Sequence, residues 1–557
     1  MTKPLDPADS AVVSQALIAI AREMGAKLVR SAYSTIVREA RDASAALCDR
    51  NGHVIAQAEL IPMQLGSIGA TIQPCLELHP ADTLEEGDFL ITNDPYHGGQ
   101  HLQDVFVFTP IFVDGRVIGF SASIAHHLDL GGGNPGLNAS SRDVYQEGLI
   151  IPPSKYNEKR DWNGGAFERL LAANIRVPSQ TIGDFNAKFA ANHIGAARIQ
   201  QLCRRYGVET VTATMAALLD YSERRTRAAI AAVPDGVYTG EDALDDIWGE
   251  GRALPIKATV TVRGDTMAVD FAGSCDQVGC HANAPFASTV SASLSCIKAV
   301  LTGDDVPFND GAKRPISVTA PFGSILNPRP PAPVRARMNA SYRAYGAVMR
   351  ALAQAVPDKV VAQGYDTTWA AAFSKLTPQG YRVHLDVLGG GLGAGAAFDG
   401  CDGVDGPLSN CSNTPVEVTD MDYGFFRMAA YELVPDTGGA GRYRGGVGYR
   451  RSYAITADGV NFAMYADRFQ RAPQGVAGGA AARPGACIVR RGGKVLQFAA
   501  NTGQMLEKGD VVELVTGGGG GFGDPKARAA AALAEDLADG LVSEDAARAA
   551  YGRAAAE

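Results

Sequence analysis

Histidine is scarce in this sequence, with nine among 557 residues. Long apolar runs are missing too. No stretch approaches the ~18 residues that a membrane span requires, so no membrane association is expected. The opening MTKPLDPADS has no apolar core of the kind a secretory leader carries. The cysteines, at 48, 75, 203, 275, 280, 296, 401, 411 and 487, form no C-x-x-C pair, which argues against a zinc ribbon or a thioredoxin-type centre. Cys275 and Cys280 could pair in an oxidising compartment, but without a leader the expectation is reduced thiols in the cytoplasm. Positive charge is in deficit: 51 Lys and Arg stand against 60 Asp and Glu, for a net −9. That argues against nucleic-acid binding, whose footprint is a basic face. The Arg204-Arg205 and Arg224, Arg225, Arg227 cluster reads as the solvated side of a helical pair. There is no Gly-x-x-x-x-Gly-Lys-Ser/Thr for a nucleotide phosphate and no Gly-x-Ser-x-Gly elbow for a serine nucleophile.

Glycine is abundant instead, at 64 of 557, or roughly 11% where about 7% is usual. The length suggests several domains. Val13, Leu17, Ile20, Met24 and Leu28 recur at helical spacing after Pro7, so 7–33 reads as a helix. Asn51-Gly52 between apolar runs predicts a hairpin of 45–48 with 53–56, and Asp114-Gly115 predicts another of 105–113 with 117–125. Residues 87–92 read as a buried strand, and 184–206 and 207–232 as two long helices ended by Pro234-Asp235-Gly236. Strand patterns follow over 236–275, a Pro-rich linker or wall at 327–334, and a helix over 343–356. Short strands fill 380–515, and an Ala-rich helical tail with a break at Asp539-Gly540 ends the chain. The fold class is therefore multi-domain α+β: antiparallel hairpins with helices first, a β-rich C-terminal part, then a helical tail. The expected segments are 1–235, a domain carrying a metal site; 236–330, mixed β/α; 331–515, Gly-rich and largely β; and 516–557, a Gly-rich loop and helix.

Four of the nine histidines fall in the 31 residues from His97 to His127, together with Asp94, Asp104 and Asp129. A two-residue turn at Asp114-Gly115 makes facing positions sum to 229. His126 then faces Gln103, Asp104 faces Ala125 and His101 faces Leu128. Imidazoles and a carboxylate thus converge at one hairpin mouth, a donor set suited to a divalent metal. The bland alternative is four histidines hydrogen-bonded to backbone in a crowded loop. Asp42 is a plausible further ligand that spacing does not single out. The glycines at 517–521 read as a flexible or tightly turning tail. Gly391-x-Gly393-x-x-Ala396 is a loose dinucleotide-type match, and Cys48 and Cys75 are weak nucleophile candidates in apolar context.

At these motifs the sequence resembles the B subunits of ATP-dependent hydantoinases and 5-oxoprolinases, the hydantoinase B family. The matching stretches are RDASAALCD (41–49), NDPYHGGQHLQDV (93–105), AHHLDLGG (125–132), VYQEGLIIPP (144–153), LAANIRVP (171–178), GDFNAKFAAN (183–192), NAPFASTVSA (283–292), SNTPVEV (412–418) and GGGGFGDP (518–525). RARMNAS at 335–341 departs from the common wording. The resemblance implies a partner A subunit that uses ATP to phosphorylate a cyclic amide, and a metal in this subunit. Carried over by position, the ligands are Asp42, His101, Asp104 and His126, with His127 as the alternative to His126. Two histidines with two carboxylates suit Mn²⁺, Zn²⁺ or Fe²⁺. Glu147, Asp129 and His127 are candidates for a base or for orienting the ligands, and Asn174 and Arg176 for binding an anionic substrate group. A hetero-oligomer such as A2B2 is expected. The family also includes subunits of acetone and acetophenone carboxylases, and the longer acetone carboxylase chain favours the hydrolase branch here. A non-catalytic scaffold with a structural metal is the remaining alternative.

Overall fold

The computed structural model describes residues 6–247 and 252–552. The first five residues of the opening segment, 248–251 within the strand-patterned stretch and the last five residues of the tail lie outside them. Six antiparallel strands form the first sheet: β1 Ala43–Asp49, β2 Val54–Gln57, β3 Asp88–Thr92, β4 Asp104–Val113, β5 Arg116–His126 and β6 Ser154–Asn157, in the order β2-β1-β5-β4-β3-β6. Its central hairpin turns at Asp114 and Gly115 with φ of 49° and 74°, the left-handed pair that a tight two-residue hairpin demands. Side chains alternate across the sheet. Val105 and Val107 pack with Phe185 and Phe189 of the long helix Pro178–Tyr206. Phe106 and Phe108 pack on the other face with Ile72 and Leu294, from helices Ile68–Leu78 and Phe286–Leu301.

The expected register needs correcting by one residue. Val113 faces Arg116 and Phe112 faces Val117, which sum to 229, but a bulge follows, and from Ile111–Gly119 onward the sum is 230. The extra residue, Ile118, shifts the rest of the strand. Asp104 therefore faces His126 directly rather than Ala125.

A second sheet holds β7 Gly236–Leu244, β8 Leu254–Arg263, β9 Thr266–Asp270 and β10 Ile316–Thr319, with β10 parallel to β9. Its β7 lies against the buried helix Arg337–Leu352, where a Cβ on Gly240 would come within 2.1 Å of the Ala347 carbonyl oxygen. Two further sheets, one built on strand Trp369–Thr377 and one on strand Tyr449–Ile455, enclose an aromatic core of Trp369, Phe373, Phe426, Tyr453 and Phe462. The largest apolar core joins residues from Val13 to Tyr465 and so draws on three of the four sequence segments. The tail helix Ala530–Ala538 stops at Asp539, followed by Gly540 at φ 69°. Among the described residues no helix is long and apolar enough to cross a membrane.

Helix Phe286–Leu301 has no counterpart among the expected elements, because buried serines interrupt its apolar pattern. Ser291 Oγ donates to the Met63 carbonyl at 2.6 Å and Ser293 Oγ to that of Thr289 at 2.9 Å, which satisfies them inside the core. The glycine run 517–521 also departs from expectation: all five residues are buried. It is a backbone ribbon hydrogen-bonded to Gln363 and to the segments 391–394, 439–446 and 476–483.

Candidate metal centre

Three donors meet at the mouth of the central hairpin. His101 sits one turn before β4, Asp104 is its first residue and His126 is the last of β5. His101 Nε2 lies 3.2 Å from Asp104 Oδ1, and His126 Nδ1 lies 3.5 Å from the same oxygen. One ligand atom from each of the three falls within 4.8 Å of the others, and all three residues are buried. Asp42 closes the group from the start of β1. Its Oδ2 is 3.5 Å from His126 Nδ1, its Oδ1 accepts from Gln64 at 2.7 Å, and its carbonyl accepts the His126 N–H at 3.0 Å.

The electrostatics favour a cation. Burial, followed by the charge of Arg337, pushes His101 down to about 3, and burial lowers His126 as well. Both rings are therefore neutral at physiological pH. Burial opposes ionisation of Asp104, but the Arg337 guanidinium donates to its Oδ2 at 2.6 Å and helps hold it well below the usual carboxylate range. Burial first, then the charge of Asp104, raises Asp42 well above that range. The Arg335 carbonyl lies 3.1 Å from His101 Nδ1. Arg337 Nη1 lies 3.1 Å from the same nitrogen; a proton on Nδ1 would serve the Arg335 carbonyl and leave a lone pair on Nε2 facing Asp104 Oδ1. His101 Nε2, Asp104 Oδ1 and His126 Nε2 are buried with no hydrogen-bond partner. Two lone pairs aimed at one another in a dry site repel unless a cation lies between them. The donor set, two neutral imidazoles with one or two carboxylates, fits Mn²⁺, Zn²⁺ or Fe²⁺.

The other candidates are placed as follows. His97 is exposed and pairs with Asp94 at 2.9 Å. His127 points to the opposite side of the sheet from His126, as strand alternation requires. There it stacks on Phe185 with centroids 4.4 Å apart, and its Nε2 is 2.9 Å from Lys188 Nζ. Glu147 accepts the backbone N–H of Val334 at 2.9 Å and of Arg335 at 3.0 Å, plus Ser141 Oγ at 2.8 Å. It thereby fixes the segment that offers the Arg335 carbonyl to His101. Burial pushes its carboxyl up to about 7. Asp129 pairs with Arg176 at 2.9 Å and accepts that residue's own N–H at 2.6 Å. Asn174 bonds the Leu170 carbonyl within its own helix. Arg176 and Asn174 are thus engaged by the protein itself and form no bond to the four ligand candidates.

Sequence reasoning missed Arg337, Gln64 and Gln100. Gln100 Oε1 accepts from Arg337 at 3.1 Å. Arg337 stands 233 residues from Asp104, and the only available signal was the unusual RARMNAS wording that contains it. The GDFNAKFAAN motif also acquires a purpose. A Cβ at Gly183 would strike the Tyr33 ring at 2.3 Å, so the loop before Asp42 lies directly on the helix. Asp184 accepts the N–H groups of Tyr33 at 2.7 Å and Ser34 at 3.0 Å. Lys188 Nζ donates to the Val105 carbonyl at 3.2 Å as well as meeting His127, tying the ligand-bearing ends of β4 and β5 from behind. Lys188→Met, which keeps the bulk and removes both bonds, is expected to weaken metal affinity by about 10-fold with the fold retained, as read by chelator competition and far-UV circular dichroism.

Residues 6–525 match the family described as Hydantoinase B/oxoprolinase. The B subunit of a candidate D-/L-hydantoinase from Pseudomonas sp. (strain NS671) is 34% identical over 99% of this chain and 95% of its own. The crystal structure of the ATP-dependent caprolactamase from Pseudomonas jessenii superposes with a TM-score of 0.89 at 29% identity, covering 99% of this chain and 96% of that one. Acetone carboxylase in its nucleotide-free form shares the fold, with a TM-score of 0.88 at 20% identity over 98% of this chain and 79% of the other. The chain belongs to the hydantoinase B/oxoprolinase family.

Proposed function

We propose that this chain is the metal-bearing B subunit of an ATP-dependent cyclic amide hydrolase, of hydantoinase, oxoprolinase or lactamase type. The observation that carries the reading is the set of buried, unpartnered atoms His101 Nε2, Asp104 Oδ1 and His126 Nε2 within one cluster of potential ligands. A divalent ion held by these three residues and Asp42 would supply Lewis acidity toward water or a carbonyl. An amide resists attack through resonance, and phosphorylation of its oxygen by an A-type partner creates both an electrophile and a leaving group. The chain's own residues then have distinct tasks. Arg337 keeps Asp104 ionised, the Arg335 carbonyl and Arg337 hold the His101 ring, and Glu147 and Lys188 hold the ligand-bearing segments in place. Asp129 anchors the 129–132 loop through Arg176. Partner, stoichiometry such as A2B2 and a cytoplasmic location belong to the same proposal.

The shared fold with acetone carboxylase favours a second reading, ketone carboxylation with ATP and bicarbonate. Elemental analysis of the purified chain, alone and with a co-expressed A-type partner, tests the metal. About one Mn, Zn or Fe per chain is expected, and less than about 0.2 in both preparations would end the proposal. A substrate screen with ATP separates the two chemistries: ring-opened product without bicarbonate marks the hydrolase, and bicarbonate-dependent turnover of a ketone marks the carboxylase.

A further inference from the structure

Arg335 is buried, at 3% exposure, yet no carboxylate pairs with its guanidinium. Its Nη2 donates to the Gly136 carbonyl at 2.6 Å, while its Nε is buried with no partner. Among the described residues it makes no ion pair, whereas the neighbouring Arg337 is saturated by Asp104 and Gln100. A buried guanidinium without an anion is costly, and its rigid fork of donors suits oxyanions. Its place is also telling, because its own carbonyl meets His101 Nδ1 at 3.1 Å, so it adjoins the metal triad. A second donor interacts with it electrostatically. Tyr465, at 5% exposure, feels the charges of Arg335, Arg337, Asp42 and Asp104, and among the described residues its hydroxyl makes no hydrogen bond. Asp42, with its side chain 15% exposed, is the most exposed member of this group.

We infer that Arg335 and Tyr465 form an anion subsite beside the metal triad, taking the phosphoryl group of the activated substrate. This rests on the amide-activation reading above. A phosphoryl group offers several charged oxygens at once, enough to engage the guanidinium N–H groups that Gly136 does not take and the phenol while leaving the reacting carbon near the triad. A carboxylate presents the same chemistry with fewer oxygens, so the two sources must be told apart.

The test is calorimetric titration of inorganic phosphate, and separately of acetate, into the full-length chain with and without Mn²⁺. Phosphate should bind one-to-one and more tightly than acetate. Arg335→Met should weaken phosphate at least 10-fold, Arg335→Lys less, and Tyr465→Phe about 3-fold, with metal content unchanged in all three. Undetectable phosphate binding to the unaltered chain, unchanged phosphate affinity in Arg335→Met with metal retained, or acetate binding as tightly as phosphate would each overturn the inference. If the chain takes up none of Mn²⁺, Zn²⁺ and Fe²⁺, the proposed function fails instead, and the metal-free titration still reads Arg335 separately.

Discussion

Asp104→Ala should leave a folded chain that holds no metal and has lost at least about 100-fold in ATP-dependent turnover with its partner. The lower bound comes from residues that merely support metal ligands, whose removal already costs 10- to 100-fold. Asp104 does more than they do. Its Oδ1 lies within 3.5 Å of both histidine donors, and its Oδ2 accepts from Arg337 at 2.6 Å. Removing the carboxylate takes away the negative charge that would attract a cation and leaves Arg337 buried with only Gln100 and the His101 ring as partners. The uncompensated guanidinium costs roughly 3–5 kcal/mol of stability, so the melting temperature should fall too. The paired variant Asp104→Asn separates the two effects. The asparagine carbonyl can still accept from Arg337, which restores much of the stability, but metal content and turnover stay low. A scaffold with a purely structural metal predicts that folding and activity are lost together in both variants. Metal stoichiometry, melting temperature and turnover measured on the same preparations distinguish these outcomes.

Much of this centre could be read before the fold was known. Asp114-Gly115 fixed the hairpin, and the hairpin brought His101, Asp104 and His126 to one end. The error was one residue of register, because a bulge at Ile111–Phe112 leaves no composition signal. The alternation that separates His126 from His127 is decided by that register, so spacing from Asp104 favoured His126 without settling the choice. The residues that tune the site are a different matter. Arg337, Arg335 and Tyr465 arrive from the start of a buried helix and from a C-terminal strand. Nothing local ties a guanidinium at 337 to a carboxylate at 104, since that pairing exists only once the helix is buried in the folded chain. The long helices at both ends of the 1–235 segment were legible because their apolar period is regular, whereas helix Phe286–Leu301 hid behind buried serines, two of which, Ser291 and Ser293, donate to main-chain carbonyls.

The glycine run shows why composition alone misleads, and it yields the second large effect. Gly517 to Gly521 were expected to be a mobile or turning tail, yet they form a ribbon hydrogen-bonded on several sides. Gly519 N–H donates to the Gly446 carbonyl at 2.8 Å and Gly520 N–H to that of Gln363 at 2.7 Å, while the Gly519 carbonyl accepts from Gly439 at 2.8 Å. A Cβ on Gly519 would lie 1.9 Å from the Leu392 carbonyl oxygen, and one on Gly445 would lie 1.8 Å from the Gly519 carbonyl oxygen. Both obstacles are backbone, so no side-chain rotation relieves them. Glycine is needed at these places for close approach of one backbone to another, not for flexibility. Gly519→Ala should therefore destabilise the chain by more than about 4 kcal/mol, the range reserved for overpacking with no room to relax. The protein should accumulate as insoluble material or unfold well below the temperature of the unaltered chain. Gly503→Ala is the control: its Cβ would meet nothing within 4 Å, and its effect should stay within about 0.5 kcal/mol. Equal soluble yields and coincident thermal melts for the two variants would show that the ribbon yields to an added methyl, and the close packing at Leu392 would then not limit stability.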